Sequence, residues 1–419
     1  MRPSRRDVDV LVVGAGTVGS AIATLLATQP ATRALSVGLV EPRIPVLPPP
    51  AAPWDLRIFA LSRASQRVLE ACGVWPAVVA RAWAYQSMRV WDAVDEVAGP
   101  RTLAFSAAEA GEPDLGHMAE VATLQGALYE AAMRAGVRAF GVGVDAFRTE
   151  AAQAVVTLAD GTLVRAGLVV AADGADSRLR SLAGIAATVH DYHERGVVAF
   201  LRTERGHEDA ALQRFLPTGP LGLLPVGEHR VSIVWTLPTD LALRTLALDD
   251  AAFNAAVTSA SDGVLGALAL DSPRTSFPLR RVTAATYGGH RVVLAGDAAH
   301  GVHPLAGQGA NLGLLDAAAL VEVVAGALAR GEDPGDAGPV GRYARWRRAE
   351  AAPLTLGVHA LQRVFGNDVG WLQALRSRGL GWVAGSPWWR RQFVHHALGT
   401  AGEAPRLALG QPLSAVPSR

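Results

Sequence analysis

A chain of 419 residues, 50% of them hydrophobic and 18% charged, can bury a sizeable core and is not a disordered segment. Its 39 basic and 38 acidic residues nearly cancel, so no global field gathers nucleic acid, and nucleic acid is excluded as a partner. The single cysteine, Cys72, excludes an internal disulfide, and because every basic side chain is arginine, lysine Schiff-base chemistry and a P-loop lysine are excluded too.

At the N-terminus, Met1 to Asp7 carries the charge of a signal sequence, and the pair Arg5-Arg6 invites a twin-arginine reading. A glycine-rich turn comes next in place of a cleavable apolar core, so a cytoplasmic chain is the expectation. The mean hydropathy of +0.21 is high. Even so, Val8 to Val13, Leu163 to Ala172 and Leu312 to Ala329 are each too short or too interrupted for the ~20 residues that span a bilayer.

Val8 to Val13 reads as a strand, closed by Gly14-Ala15-Gly16-Thr17-Val18-Gly19 before an alanine-rich helix to about Ala27. A second strand, Leu35 to Val40, ends in Glu41. This is a βαβ opening with a parallel sheet implied. Gly14 suits the tight turn, Gly16 lets backbone approach a pyrophosphate, and Gly19 allows close packing of helix on sheet. The free amides that begin the helix, at Thr17 and Val18, face an anion. Glu41, about twenty residues on, can accept bonds from an adenosine ribose, which favours NAD or FAD over NADP.

Pro42 to Pro53 is proline-rich and extended, and Ser62 to Cys72 is a helix stopped by Gly73. Met88 to Phe105 alternates like strands, and Glu120 to Ala135 returns to helix, stopped by Gly136. Val155 to Leu158 and Leu163 to Val170 flank Asp160-Gly161 as a hairpin, and the second strand runs into Asp173-Gly174, with Arg178 beyond. Strands at Val197 to Arg202, Leu221 to Pro225 and Val231 to Leu237, with a helix near Asp249 to Ser261, suggest a separate antiparallel layer. A buried strand, Arg291 to Ala295, leads to Gly296-Asp297-Ala298-Ala299-His300. Pro304 to Asn311 then opens a long helix to about Ala329, and the chain from Gly341 onward reads as helical.

Asp173-Gly174 can be a plain turn and Asp297 a plain helix cap. A carboxylate at Asp297 can also hold a ribityl polyol, while amides from Gly307 to Gly309 stabilise negative charge on a reduced flavin ring. His300 and His303 lack the further ligands of a metal site, and no metal is expected. Cys72 is expected in the core. Trp388 to Phe393 is either a face for membrane or partner contact or ordinary packing.

The turn Gly14 to Gly19, the Asp173-Gly174 segment and the stretch from Gly296 to Asn311 resemble, in order and spacing, the class A flavoprotein aromatic hydroxylases. The stretches Asp55 to Ser62, Leu115 to Met118, Phe215 to Leu221 and His303 to Gly313 most resemble the ubiquinone-biosynthesis hydroxylase family. The likeness runs from about Asp9 to about Gly399. The expected fold is α/β: a Rossmann-like FAD-binding domain (1–72, 121–185 and 285–330) interleaved with a mixed or antiparallel-sheet substrate domain (73–120 and 186–284), then a helical C-terminal region (331–419). The resemblance implies that Gly14, Gly16, Thr17, Val18, Gly19 and Glu41 hold the ADP half of FAD. Arg57 and Gln125 would lie along the pyrophosphate and ribityl chain, and Asp173, Gly296 and Asp297 would meet the cofactor. Pro304, Gly307, Gln308, Gly309, Ala310 and Asn311 would line the ring.

The implied activity is FAD-dependent hydroxylation of a polyprenylated phenol in ubiquinone biosynthesis, with NAD(P)H as transient reductant and O₂, through a flavin hydroperoxide. No catalytic acid or base is named. The alternatives are a hydroxylase of a soluble phenol, or a non-catalytic FAD-binding scaffold in a quinone-biosynthesis complex. Further expectations are a substrate near Leu221 to Pro225 and Pro304, contact with the inner face of the membrane or with such a complex, and a homo-oligomer.

Overall fold

The computed structural model describes residues 6–301, 308–365, 398–399 and 402–413, without side chains at 308 and 353–365. Five parallel strands make the centre of the first sheet, in the order Val292–Leu294, Leu163–Ala171, Val8–Val13, Val37–Val40, Arg138–Phe140. The antiparallel strands Ala154–Leu158 and Val144–Thr149 extend it from Leu163–Ala171. Such strands are apolar on both faces because helices and loops cover both. Val10 and Val12 pack into the layer that holds helices Thr17–Thr28, Val121–Arg134 and Gln308–Ala329, while Leu11 and Val13 pack into the opposite one.

The stretch Gly309–Ala329 is long and apolar enough to cross a membrane by length and composition. It is 67% buried within the protein and lies along Thr17–Thr28, which accounts for its hydropathy as that of a core helix.

The second sheet runs Leu268–Leu270, Ala187–Thr203, Arg230–Pro238, Gly219–Gly227, Ala210–Leu216, Ser87–Asp92, Leu103–Ser106, with Thr275–Ala284 also paired to Ala187–Thr203. All its pairings are antiparallel except Ala210–Leu216 with Ser87–Asp92. The middle section is therefore a mixed sheet, and the strand Ala210–Leu216 and the helix Thr239–Leu246 are elements that the sequence pattern does not announce. Alternation along Gly219–Gly227 sends Leu221 and Leu223 into a core beneath helices Thr239–Leu246 and Asp250–Ala260. The residues between them face the other way.

A small third sheet sits at the seam, with Gly116–Glu120 antiparallel between Ile58–Ser62 and Ala82–Tyr85. A division at 72 cuts through it, because Ile58–Ser62 falls on one side and both of its sheet mates on the other. Next to this sheet, Arg81 makes a bidentate pair with Glu120, at 2.7 and 3.0 Å, with side chains only 8% and 1% exposed. The same guanidinium donates to the carbonyls of Pro49, Pro50 and Ala52, so one buried cation holds the end of the proline-rich connection. Replacing it takes the donor from the Pro50 and Ala52 carbonyls and the charge partner from Glu120, which keeps only the Asp55 amide and the Thr123 hydroxyl, at about 1–3 kcal/mol per group left without a partner. Arg81→Met should therefore make residues 46–53 the first site of limited proteolysis, read by mass spectrometry of the early fragments, while the parent resists cleavage there.

Candidate active site

A cleft of about 880 Å³ lies at the carboxyl ends of the parallel strands, where ligands of open α/β sheets bind. Its floor is laid by the residues just beyond each strand end: Gly14 after Val13, Glu41 after Val40, Asp173 after Ala172, and Asp297 shortly after Ala295. Its far wall is the second sheet, and the strand Ile58–Ser62 contributes Ile58, Phe59 and Ala60 between the two.

The glycines of the first turn divide by function. Gly14 has φ +100°, and a Cβ there would stand 2.4 Å from the Ala172 carbonyl oxygen. Gly19 is closed by packing, its Cβ falling 1.9 Å from the Gly14 carbonyl oxygen. Gly16 differs, since its φ of −65° suits any residue and a Cβ would meet only the Gln125 amide, at 3.8 Å. Nothing in the fold requires a glycine at 16, so the open space before it belongs to a ligand. Gly16 caps the helix Thr17–Thr28 without a side-chain bond, and the Thr17 hydroxyl is buried with no partner among the described residues. An uncapped helix start with an orphaned hydroxyl is a seat for a phosphate oxygen.

Glu41 accepts from the amide of Ala15 through one carboxylate oxygen and from that of Arg43 through the other, both at 2.9 Å. These bonds fix its carboxylate at the cleft edge with lone pairs left over for ribose hydroxyls. Arg57 is held near Asp55, at 3.3 Å, with its side chain 61% exposed at the cleft. Asp173 accepts from the Ser177 hydroxyl and the Leu179 amide, which locks the turn through Gly174, at φ +85°.

Asp297 begins the four-residue helix Asp297–His300 and is exposed at the cleft. Desolvation by the surrounding cleft raises its carboxyl pKa, opposed by His300 and reinforced by Asp316. Hydroxyl groups arriving from a polyol would resolvate it with hydrogen bonds. The residues present thus fit FAD: an anion seat, a ribose carboxylate and a second carboxylate at another strand end of the same cleft.

Of the residues singled out in the sequence, the structure brings Gly14, Gly16, Thr17, Val18, Glu41, Arg57, Gln125, Asp173, Asp297, Gly309 and Ala310 to this one cleft. Three need correction. Gly19 serves by close packing and does not face the cleft. The Gly296 amide turns back into the protein, donating to Asp316 at 2.8 Å. The Asn311 side chain is engaged within the protein, accepting from the Ser62 amide and the Ser65 hydroxyl and donating to the Ala60 carbonyl. Asn311 is thus a tie between the long helix and the strand Ile58–Ser62. Pro304, Gly307, His303 and the Trp388 to Phe393 segment lie outside the described residues, as does the side chain of Gln308.

Two features are not visible in the sequence pattern. Arg180, 7% exposed, donates to the carbonyls of Ala175 and Ala298, both at 2.9 Å, and so joins the Asp173 turn to the Asp297 segment. Behind Asp297, Asp316 is fully buried against His300, at 2.5 Å, and Arg347, at 2.7 Å. The only available signal for the latter was the spacing of polar residues within an otherwise apolar helix. Cys72 is buried, and burial pushes its thiol pKa up, so it is a poor nucleophile.

The FAD binding domain family matches residues 7–337 of the chain. The ubiquinone hydroxylase UbiL of Rhodospirillum rubrum is 36% identical over 97% of this chain and 93% of its own length. The 3-demethoxyubiquinol 3-hydroxylase of Escherichia coli is 32% identical over 94% of this chain and 100% of its own. Among solved structures, p-nitrophenol 4-monooxygenase PnpA of Pseudomonas putida superposes with a TM-score of 0.73 over 94% of this chain and 98% of that one; at 18% identity it attests the fold. Fingerprint, cleft and relatives agree: the chain belongs to the FAD-dependent aromatic hydroxylases, in the family that includes the ubiquinone-biosynthesis enzymes.

Proposed function

We propose that the chain hydroxylates the aromatic ring of a prenylated phenol or quinol on the route to ubiquinone, with NAD(P)H as reductant and O₂ as oxidant. The carrying observation is that the FAD cleft continues without a break onto an apolar wall, where Val198, Leu224, Val234 and Phe277 present hydrocarbon. Such a wall suits a ring with a hydrocarbon tail. FAD, when bound, supplies the redox chemistry and the activation of O₂. The chain's residues hold the cofactor, present the ring to it and keep water out. A substrate that lives in the bilayer calls for work at the cytoplasmic face of the membrane, and the Trp388 to Phe393 segment is the proposed contact.

The test is expression in bacterial strains that each lack one ring hydroxylase of the pathway, with mass spectrometry of the quinone precursors. Restored ubiquinone in one strain identifies the ring position. Failure in all of them, with the protein folded and yellow, overturns the reading.

A further inference from the structure

On the cleft side of the second sheet, in-register residues form a row across adjacent strands: Gln213, Gly222, Val234 and Val198. The next row holds Gly196 paired with Phe277, and a Cβ at Gly196 would stand 3.0 Å from the Phe277 ring. Gly196 is therefore roofed by an aromatic side chain of the protein itself. Gly222 is not. A Cβ there would meet only the Val234 carbonyl oxygen, at 3.9 Å, so the protein's own packing places no demand for a glycine at this position. The bare backbone at 222 leaves a shallow floor in an otherwise filled wall.

Beside that floor is an amide. Gln213 lines the cleft, partly buried, with no side-chain hydrogen-bond partner among the described residues. Its cross-strand neighbour on one side is Gly222 and on the other is Val90. A polar group held at an apolar wall without a partner is stable only while something polar, water or ligand, meets it. An amide both donates and accepts, which matches a ring hydroxyl or carbonyl.

The geometry points to Gln213 and Gly222 as the pair that selects the substrate: the aromatic ring lies over Gly222 and the Gln213 amide hydrogen-bonds an oxygen substituent on it. This assignment rests on the reading of the chain as a ring hydroxylase and adds the residues that recognise the ring. It makes the ring's oxygen, not only its tail, a determinant of binding.

The FAD-loaded protein is titrated with a 2-prenylphenol and with the matching prenylbenzene, which lacks the hydroxyl, following the perturbation of the flavin absorption spectrum. The parent should bind the phenol about tenfold more tightly, as expected for one hydrogen bond in a dry site. Gln213→Leu, close in size, should bring the two affinities together while FAD content and melting temperature stay at the parent's values. Gly222→Val should weaken both probes at least tenfold, raise KM more than it lowers kcat, and keep the flavin. If Gln213→Leu keeps the parent's preference, or loses flavin instead, the assignment of Gln213 is overturned. If Gly222→Val binds both probes normally, the floor is not where the ring lies. A parent that binds neither probe and shows no probe-dependent NAD(P)H oxidation overturns the hydroxylase reading along with this one, whereas a parent that binds and oxidises normally confines any failure to these two residues.

Discussion

Gly14→Ala should yield a protein that unfolds at a markedly lower temperature and is recovered without flavin, whereas Gly16→Val should lose the flavin and keep the melting temperature of the apoprotein. At position 14 a side chain costs about 1–2 kcal/mol for the left-handed backbone. Its Cβ also drives into backbone that cannot yield, with the Ala172 carbonyl oxygen at 2.4 Å and Asp173 Cα at 2.8 Å, for roughly 1–3 kcal/mol more. At position 16 the backbone is ordinary and an added Cβ meets only the Gln125 amide, at 3.8 Å, so the side chain competes with the pyrophosphate and not with the fold. Thermal melts of the two apoproteins, with flavin content by absorbance, separate the cases. Equal melting temperatures for the two variants would refute the division of labour between these glycines.

The second large effect is expected at Asp316. Replacing it with Ala strands the Arg347 guanidinium, 1% exposed, and deprives His300 and the Gly296 amide of their shared acceptor. Breaking a buried ion pair by removing one partner costs about 3–5 kcal/mol. Urea denaturation of Asp316→Ala should show a loss of that order, and Asp316→Asn a smaller one. Burial raises the Asp316 carboxyl pKa, but attraction to His300 and Arg347 and their hydrogen bonds outweighs it, so the net shift is downward. A carboxylate lowered in the folded state adds stability that is complete above its unfolded pKa of about 3.9. This contribution is lost as pH falls through the lower folded value. Acid unfolding should therefore begin at higher pH in Asp316→Asn than in the parent, measured by tryptophan fluorescence between pH 2 and 6.

The first glycine turn was legible because each requirement is local: strand, turn and helix start occupy twelve consecutive positions from Val8 to Gly19. The hairpin at Asp160-Gly161 was legible for the same reason, with Gly161 at φ +82° between its two strands. The strand Ala210–Leu216 was not: it hairpins onto Gly219–Gly227, but the adjacent polar pair Gln213-Arg214 breaks the alternation, the turn Pro217-Thr218 lacks a glycine or asparagine, and its other partner Ser87–Asp92 is distant in sequence. Asn311 shows the same limit at the site. Its position at a helix start near a glycine loop looks like a ligand contact, yet its amide is claimed by Ala60, Ser62 and Ser65, which no local pattern connects to it. The wall at Pro220, Gly222 and Leu224 was placed to within a residue, but the side of the strand that faces the cleft emerges only once the core beneath Leu221 and Leu223 is known.

The order of strands in the first sheet also has a consequence for synthesis. Val292–Leu294 completes the parallel core beside Leu163–Ala171, and it delivers Asp297 to the cleft. A nascent chain that has exposed Val8 to Ala171 already owns the nucleotide turn but lacks one edge of the sheet and the Asp297 carboxylate. Pairings so distant in sequence form slowly, and the incomplete edge stays open to other chains meanwhile. Flavin binding can therefore stabilise only the chain that has passed Asp297, and the edge left open before then is not protected by the cofactor, however much is supplied.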